Sequence, residues 1–259
     1  MTRAACLVVG LVLLAGACGG SGPTDDDPAP RPPERLAAAV TALAEANTGH
    51  FASQTAGSDG VPHSRIAGDY RLSPPAARLT VSRYDDGEPH DTAVIAIGRD
   101  AWSREDGAPC WTHHDVAELV DHGLLVRNGD TYAPAPVAVV GLGRGVYATH
   151  PDQISGTSRL RTVLSVADLS LPSALGLAPT ADHRVPTAFT LDDGALVGWK
   201  VLVRDVVEQT RVLADTGAVG EGRLSALGAL GRTIITELTH LGVEFEAVPP
   251  VAACQGRAP

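Results

Sequence analysis

Apolar and polar residues alternate with two different periods in the first half of the folded region. A helical period over 33–46, followed by Gly49, predicts one amphipathic helix. Period-two alternation then predicts five short strands, at 51–56, 63–72, 77–84, 92–98 and 101–104. Turn signals at 85–87 and 98–100 separate these strands and leave no room for crossover helices. The pattern therefore favours an antiparallel meander.

The second half of the chain has a less regular pattern. We expect a helix over 115–126 capped by Asp115, and a hairpin of 188–191 and 196–204 around the turn 192–194. Further strands are predicted at 159–166, 233–239 and 243–248. Three segments have weak patterns: 130–150 is not assigned, 167–177 is a short helical or irregular stretch, and 205–231 is a helix followed by a Gly-broken stretch.

The N-terminus has the features of a bacterial secretion signal. Arg3 precedes the apolar run 6–14, and small residues lead up to Cys18. The apolar run is too short to span a bilayer, and a Cys after small residues resembles a lipobox. We therefore expect a signal peptide at 1–17, with Cys18 as the acylated first residue of the mature chain. A flexible tether rich in Gly, Pro and Asp follows at 18–33.

Composition limits the possible partners. The chain has 20 basic and 30 acidic residues and a net charge of −10, which would repel a phosphate backbone. Nucleic acid is therefore not an expected partner. The expected location, which follows from the signal peptide and the acylated Cys18, is the outer face of the cell membrane. At 44% hydrophobic residues the chain has enough apolar side chains for a core.

The chain has four cysteines. Cys6 lies in the expected signal peptide and Cys18 is the expected acylated residue, so Cys110 and Cys254 remain as an even pair. In an oxidising compartment we expect them to form a disulfide, and two free thiols are the alternative. A metal site at Cys110 with His113 and His114 is less favoured, because adjacent side chains on a strand point to opposite faces and no second cluster supplies ligands. We expect no metal and no cofactor.

Catalytic motifs are absent or incomplete. The glycines of 141–145 follow an apolar run but lack the third Gly, the following helix and the surrounding unit of a dinucleotide site. The acidic pairs 85–86 and 192–193 each precede Gly, and turn geometry explains them better than acid–base chemistry. The sequence therefore favours a protein that is not an enzyme.

Three stretches together resemble the actinobacterial LppX/LprG-type lipoproteins, which are related in fold to the carrier LolA. They are AVIAIGRDAWSR at 93–104 followed by Cys110-Trp111, VPTAFTLDDGALVGW at 185–199, and LGVEFEAVPP at 241–250. The resemblance implies an α+β fold: a strongly curved antiparallel sheet, or half-barrel, with helices on its concave face. It divides the chain into 1–17, 18–33, a LolA/LppX-like domain at 34–250, and a C-terminal tail at 251–259.

The resemblance also implies a lipid or lipoglycan ligand in an apolar cavity. Inward positions of the predicted strands are the candidate lining: Leu79, Val81, Ile95, Ile97, Leu160, Leu164, Phe189, Trp199 and Val201. A filled core would show the same pattern, so an envelope interaction or sensing module with a closed core remains the alternative.

Overall fold

A computed structural model describes residues 31–128, 131–137, 159–165, 184–213, 231–251 and 253–254. The helices are α1 (Pro32–Ala46), α2 (Val116–Asp121) and α3 (Val203–Leu213). The first strands are β1 (Thr48–Ala56), β2 (Pro62–Arg71), β3 (Ala76–Asp85), β4 (Glu88–Ile97), β5 (Asp100–Glu105) and β6 (Thr112–Asp115). The later strands are β7 (Leu125–Asn128), β8 (Thr131–Pro134), β9 (Arg159–Ser165), β10 (Arg184–Asp192), β11 (Ala195–Leu202) and β12 (Thr233–Thr239).

Ten of these strands form one antiparallel sheet. Their order is β6-β5-β4-β3-β2-β1-β12-β11-β10-β9, and β7 pairs with β8 in a separate hairpin. Within the described residues β6 and β9 are the two edges, so the sheet is open rather than closed into a barrel. The expected α+β class and antiparallel half-barrel are confirmed.

Tight turns connect the meander as the Asp-Gly signals predict. Asp86 and Gly87 have φ of 52° and 85° between β3 and β4, and Asp193 and Gly194 have φ of 46° and 82° between β10 and β11. Two consecutive positive φ angles suit the right-handed twist of a hairpin. The acidic pairs at these turns are therefore structural.

Helix α1 is fixed at both of its ends. At its start, the Arg31 backbone N–H donates to Glu34 Oε2 at 3.0 Å. At its end Asn47 adopts a left-handed φ of 62°, so Asn47 rather than Gly49 terminates the helix. The Asn47 side chain also bonds both backbone groups of Ser73, donating at 2.7 Å and accepting at 2.8 Å. These contacts hold α1 at the start of β1.

Two predicted elements differ from the structure. The helix expected over 115–126 is capped by Asp115, which accepts from Ala117 N at 2.8 Å, but ends at Asp121. Gly123, with φ of 71°, then turns the chain into β7. The strand expected over 243–248 does not form, because β12 is already paired with β1 and β11 on its two sides.

Several expectations lie wholly or partly outside the described residues. They concern the signal peptide, Cys18 and most of the tether, the glycines of 141–145, the stretch 167–177, and residues 214–230. In the C-terminal region the tail is described only at 251 and 253–254.

Candidate functional site

One face of the sheet carries the buried side chains, and its two halves differ. We call the first the packed half: Phe51, Tyr70, Leu79 and Leu238 are all nearly or fully buried there. The rings of Phe51 and Tyr70 are tilted against each other with centroids 6.3 Å apart. Side chains of α1 join the same cluster, so this half is filled.

The same face of the same strands continues into an open half. The register places Ser53 beside Ile66 and Thr236, and Thr55 beside Ser64 and Ile234. Short side chains here leave a cavity of about 220 Å³. This volume exceeds the roughly 150 Å³ of an engineered apolar cavity that holds benzene. It is smaller than the roughly 300–1,000 Å³ of drug-sized ligand pockets, so it suits one slender apolar group.

The cavity has an apolar wall and a polar stripe. Val81, Trp199 and Val201 supply apolar surface from β3 and β11. The hydroxyls of Ser53 and Thr236 bond to each other at 2.9 Å in the buried part of the sheet. One hydroxyl donates and the other accepts, so each oxygen already has one hydrogen-bond partner within the sheet.

The cavity is covered by the segments around the small hairpin. His122, Gly123 and Leu124, between α2 and β7, line it from one side. Ala135 and Pro136, which follow β8, complete this cover. Backbone bonds join the two parts, since Ala135 N donates to Leu124 O at 2.9 Å. A sheet face with a separate cover is the arrangement from which ligand cavities are built.

The predicted lining residues are distributed over both halves. Val81, Trp199 and Val201 line the cavity. Leu79 and Phe189 belong to the buried cluster instead, with Phe189 tilted against Trp199 at a centroid distance of 6.3 Å. Leu160 and Leu164 lie in β9, at the register positions opposite Phe189 and Val185.

Ile95 and Ile97 were predicted on the inner face and lie on the opposite one. The register pairs Ile95 with Arg78 and Trp102, whereas its neighbour Val94 pairs with Leu79. Residues 93–97 are apolar at every position, so alternation alone does not identify the inward face. Sequence reasoning also missed Ser53, Ile66, Ile234 and Thr236 as lining residues.

Cys110 and Cys254 form a disulfide, as predicted. Their Cα atoms are 5.0 Å apart. Beside it Cys254 N donates to Trp111 O at 2.8 Å, and Trp111 forms a parallel bridge with Ala253. The disulfide therefore ties the C-terminal tail to the segment between β5 and β6. None of these residues lines the cavity.

A chain of three polar side chains joins β5, β6 and α2. Ser103 Oγ is 2.8 Å from His114 Nε2, and His114 Nδ1 is 3.0 Å from Glu118 Oε2. The hydrogen bonds from His114 and from Asp115 N keep the pKa of Glu118 below its usual range. The order of the three groups, a hydroxyl, an imidazole and a carboxylate, matches a nucleophilic triad. A triad also needs free backbone N–H groups as an oxyanion hole. Strand β5 lies between β4 and β6, and its N–H groups are used in the ladders with these two strands. The network is explained by its role in capping α2.

The described ranges contain neither a metal cluster nor a helix able to span a membrane. No group of three or more His, Cys, Asp or Glu side chains there is arranged to hold a metal ion. In the same ranges no helix has the length and hydropathy to cross a membrane.

These features define an α+β protein with an open antiparallel sheet and a covered apolar cavity on one face. No protein-family model matches the sequence, and no curated protein matches it. Among solved structures it is similar to LprF from Mycobacterium bovis, with 12% identity, a TM-score of 0.48, and coverage of 86% of this chain and 97% of the other. It is also similar to the lipoprotein LppX of Mycobacterium tuberculosis, with 12% identity, a TM-score of 0.45, and coverage of 84% and 98%.

LppX is one of the two proteins that name the group resembled by the sequence motifs, so a resemblance to that group is found in the course of the chain as well. Similarity at this level concerns the course of the chain and carries no information about a ligand.

Proposed function

We propose that this protein is a membrane-anchored lipoprotein that binds a lipid in the cavity between the open half of the sheet and the segments 122–124 and 135–136. The observation that carries the proposal is the cavity itself. It lies on the face that also carries the packed half, and Val81, Trp199 and Val201 give it an apolar wall. Burial of an alkyl chain against such walls is favourable by roughly 25 cal/mol per Å².

Binding is favoured over catalysis because the titratable side chains that line the cavity are not paired with one another. The titratable side chains that line the cavity, among described residues, are Arg65, Arg83 and His122. None of these three side chains forms a hydrogen bond or ion pair with another described side chain. A nucleophile and its base would need to lie within hydrogen-bond reach. The cavity therefore fits a carrier or presenter of lipid.

Membrane attachment is the second part of the proposal. An acylated Cys18, with the tether that runs from it to the start of α1 at Pro32, would hold the domain at the outer face of the membrane. Two or three acyl chains give lasting attachment. Acyl mass on the N-terminal peptide of the mature protein is the expected result, and a Cys18→Ser variant is expected in the medium or unprocessed. An unmodified N-terminal Cys would contradict this part alone.

Val201→Trp tests the cavity. Val201 lines it from β11, so an indole there should occupy the space of a ligand. We expect co-purifying lipid, extracted from the full-length protein and quantified by mass spectrometry, to fall to background.

Lys200→Trp is the matched control. It places the same indole on the neighbouring, exposed position of β11, on the opposite face. Lipid content should remain at the wild-type level. Equal lipid content in wild type and a folded Val201→Trp variant would favour the closed-core interaction module instead.

A further inference from the structure

Three arginines lie at the end of the sheet formed by the start of β2, the end of β3 and the start of β12, where lining residues of the cavity are found. Arg83, near the end of β3, pairs with Ser64 and so lies on the inner face beside Val81. Arg65, near the start of β2, is also a lining residue, although its register position opposite Ser82 belongs to the other face of the sheet. Arg232 directly precedes β12, two residues before the lining residue Ile234, and is not itself a lining residue. We call these three residues the arginine rim.

The arginine rim carries unbalanced positive charge. Arg78 pairs with Asp69 at 2.7 Å and Arg31 with Glu34 at 2.7 Å, but no rim arginine forms an ion pair with a described residue. The protein has 30 acidic residues, yet none of the described residues that line the cavity is Asp or Glu. A cationic lining that contains no acidic residue attracts an anion.

Arg232 supplies an independent observation. Its Nε is buried and has no hydrogen-bond partner in the described part of the chain. A buried donor that lacks a partner is unfavourable, and native structures usually satisfy such groups. A carboxylate or phosphate oxygen is the partner that a guanidinium binds best, in a bidentate geometry.

We infer that the ligand is a single-chain amphiphile whose anionic headgroup, a carboxylate or a phosphate, binds the arginine rim while its alkyl chain lies in the cavity. This inference rests on the proposed lipid-binding function. The cavity volume of about 220 Å³ limits the ligand to one alkyl chain, because it is below the roughly 300–1,000 Å³ of larger ligand pockets. Ser53 and Thr236 each have the other hydroxyl as a partner at 2.9 Å, so neither oxygen is left wholly unpaired beside an alkyl chain.

Three probes of equal chain length test the headgroup: decanoate, decyl phosphate and decanol. Their Kd values for the full-length protein are measured by titration calorimetry. We expect at least one anion to bind about tenfold or more tightly than decanol, since a charge-assisted bond is stronger than a neutral one. The tighter of the two anions identifies a carboxylate or a phosphate headgroup.

Arg83→Gln and Arg232→Gln should each remove most of the preference for the anion over decanol. Arg83 is exposed, so its substitution does not endanger folding. Arg99→Gln is the control, because it removes the same charge from the turn between β4 and β5. Its three Kd values should equal those of the wild type.

The outcomes separate the two levels of the argument. If decanol binds as tightly as both anions, the headgroup inference is wrong and lipid binding stands. An Arg99→Gln variant that loses as much anion affinity as Arg83→Gln would also overturn it, since the overall charge would then be responsible. If none of the three probes binds, the proposed function fails together with the inference.

Discussion

The packed half and the open half of the inner face lie on the same strands and differ in side-chain size. On β1 the inward residues pass from Phe51 to Ser53 and Thr55, and on β2 from Tyr70 to Ser64. On these two strands the packed half holds two aromatic rings, whereas the open half holds short side chains that border the cavity. A cavity in this fold therefore arises from local shortening of side chains on an otherwise continuous core face.

The largest expected effect tests the packed half. Phe51→Ala removes a fully buried ring that contacts Tyr70, and large-to-small changes of this kind cost about 3–5 kcal/mol of unfolding free energy. Thr55→Ala, on the same face of the same strand in the open half, should cost less than about 1 kcal/mol. Urea unfolding of both variants measures the difference. Similar losses at both positions would show that the halves are equally packed.

The meander was predictable because its signals are local. Alternation identified β1 to β5, and Asp-Gly pairs identified two turns whose φ angles require such residues. The faces were harder to assign, since 93–97 is apolar throughout and Ile95 lies outward. A sequence pattern does not show which strands will be neighbours in the sheet. A strand at 243–248 does not form because β12 already pairs with β1 on one side and with β11 on the other.

The site was predictable only in part for a related reason. Val81, Trp199 and Val201 are apolar and inward, so alternation found them. Ser53 and Thr236 are polar residues from distant positions, and their contact at 2.9 Å exists only after β1 and β12 pair. The buried, unpaired Nε of Arg232 likewise has no signature in the sequence.

A second prediction sharpens the comparison by filling the open half. Ser64 lines the cavity and is half-buried, so Ser64→Leu should occupy part of the empty volume. Cavity-filling substitutions commonly stabilise by about 0.5–2 kcal/mol. We expect a higher urea midpoint together with reduced lipid content. A variant that is stabilised but keeps its full lipid content would place the ligand elsewhere.

The smallest effect concerns the Tyr70 hydroxyl in the packed half. Tyr70 is fully buried, burial raises its pKa, and its hydroxyl has no hydrogen-bond partner among the described residues. Tyr70→Phe removes an unsatisfied group, which should raise the unfolding free energy by less than about 1 kcal/mol. Lipid content should not change, because Tyr70 does not line the cavity. A clear loss of stability in urea unfolding would show that the hydroxyl has a stabilising partner.

Quenching of Trp199 fluorescence by a brominated fatty acid tests the central claim most directly. The chain has three Trp, and only Trp199 lines the cavity, while Trp102 lies on the outer face of β5 and Trp111 lies beside the disulfide. A variant with Trp102→Phe and Trp111→Phe leaves Trp199 as the single reporter. We predict saturable quenching of that variant. Adding Val201→Phe, a blocking change that is not fluorescent at the Trp wavelength, should abolish the quenching. Absence of saturable quenching, or equal quenching of Trp102 and Trp111 in a Trp199→Phe variant, would contradict a lipid site in this cavity.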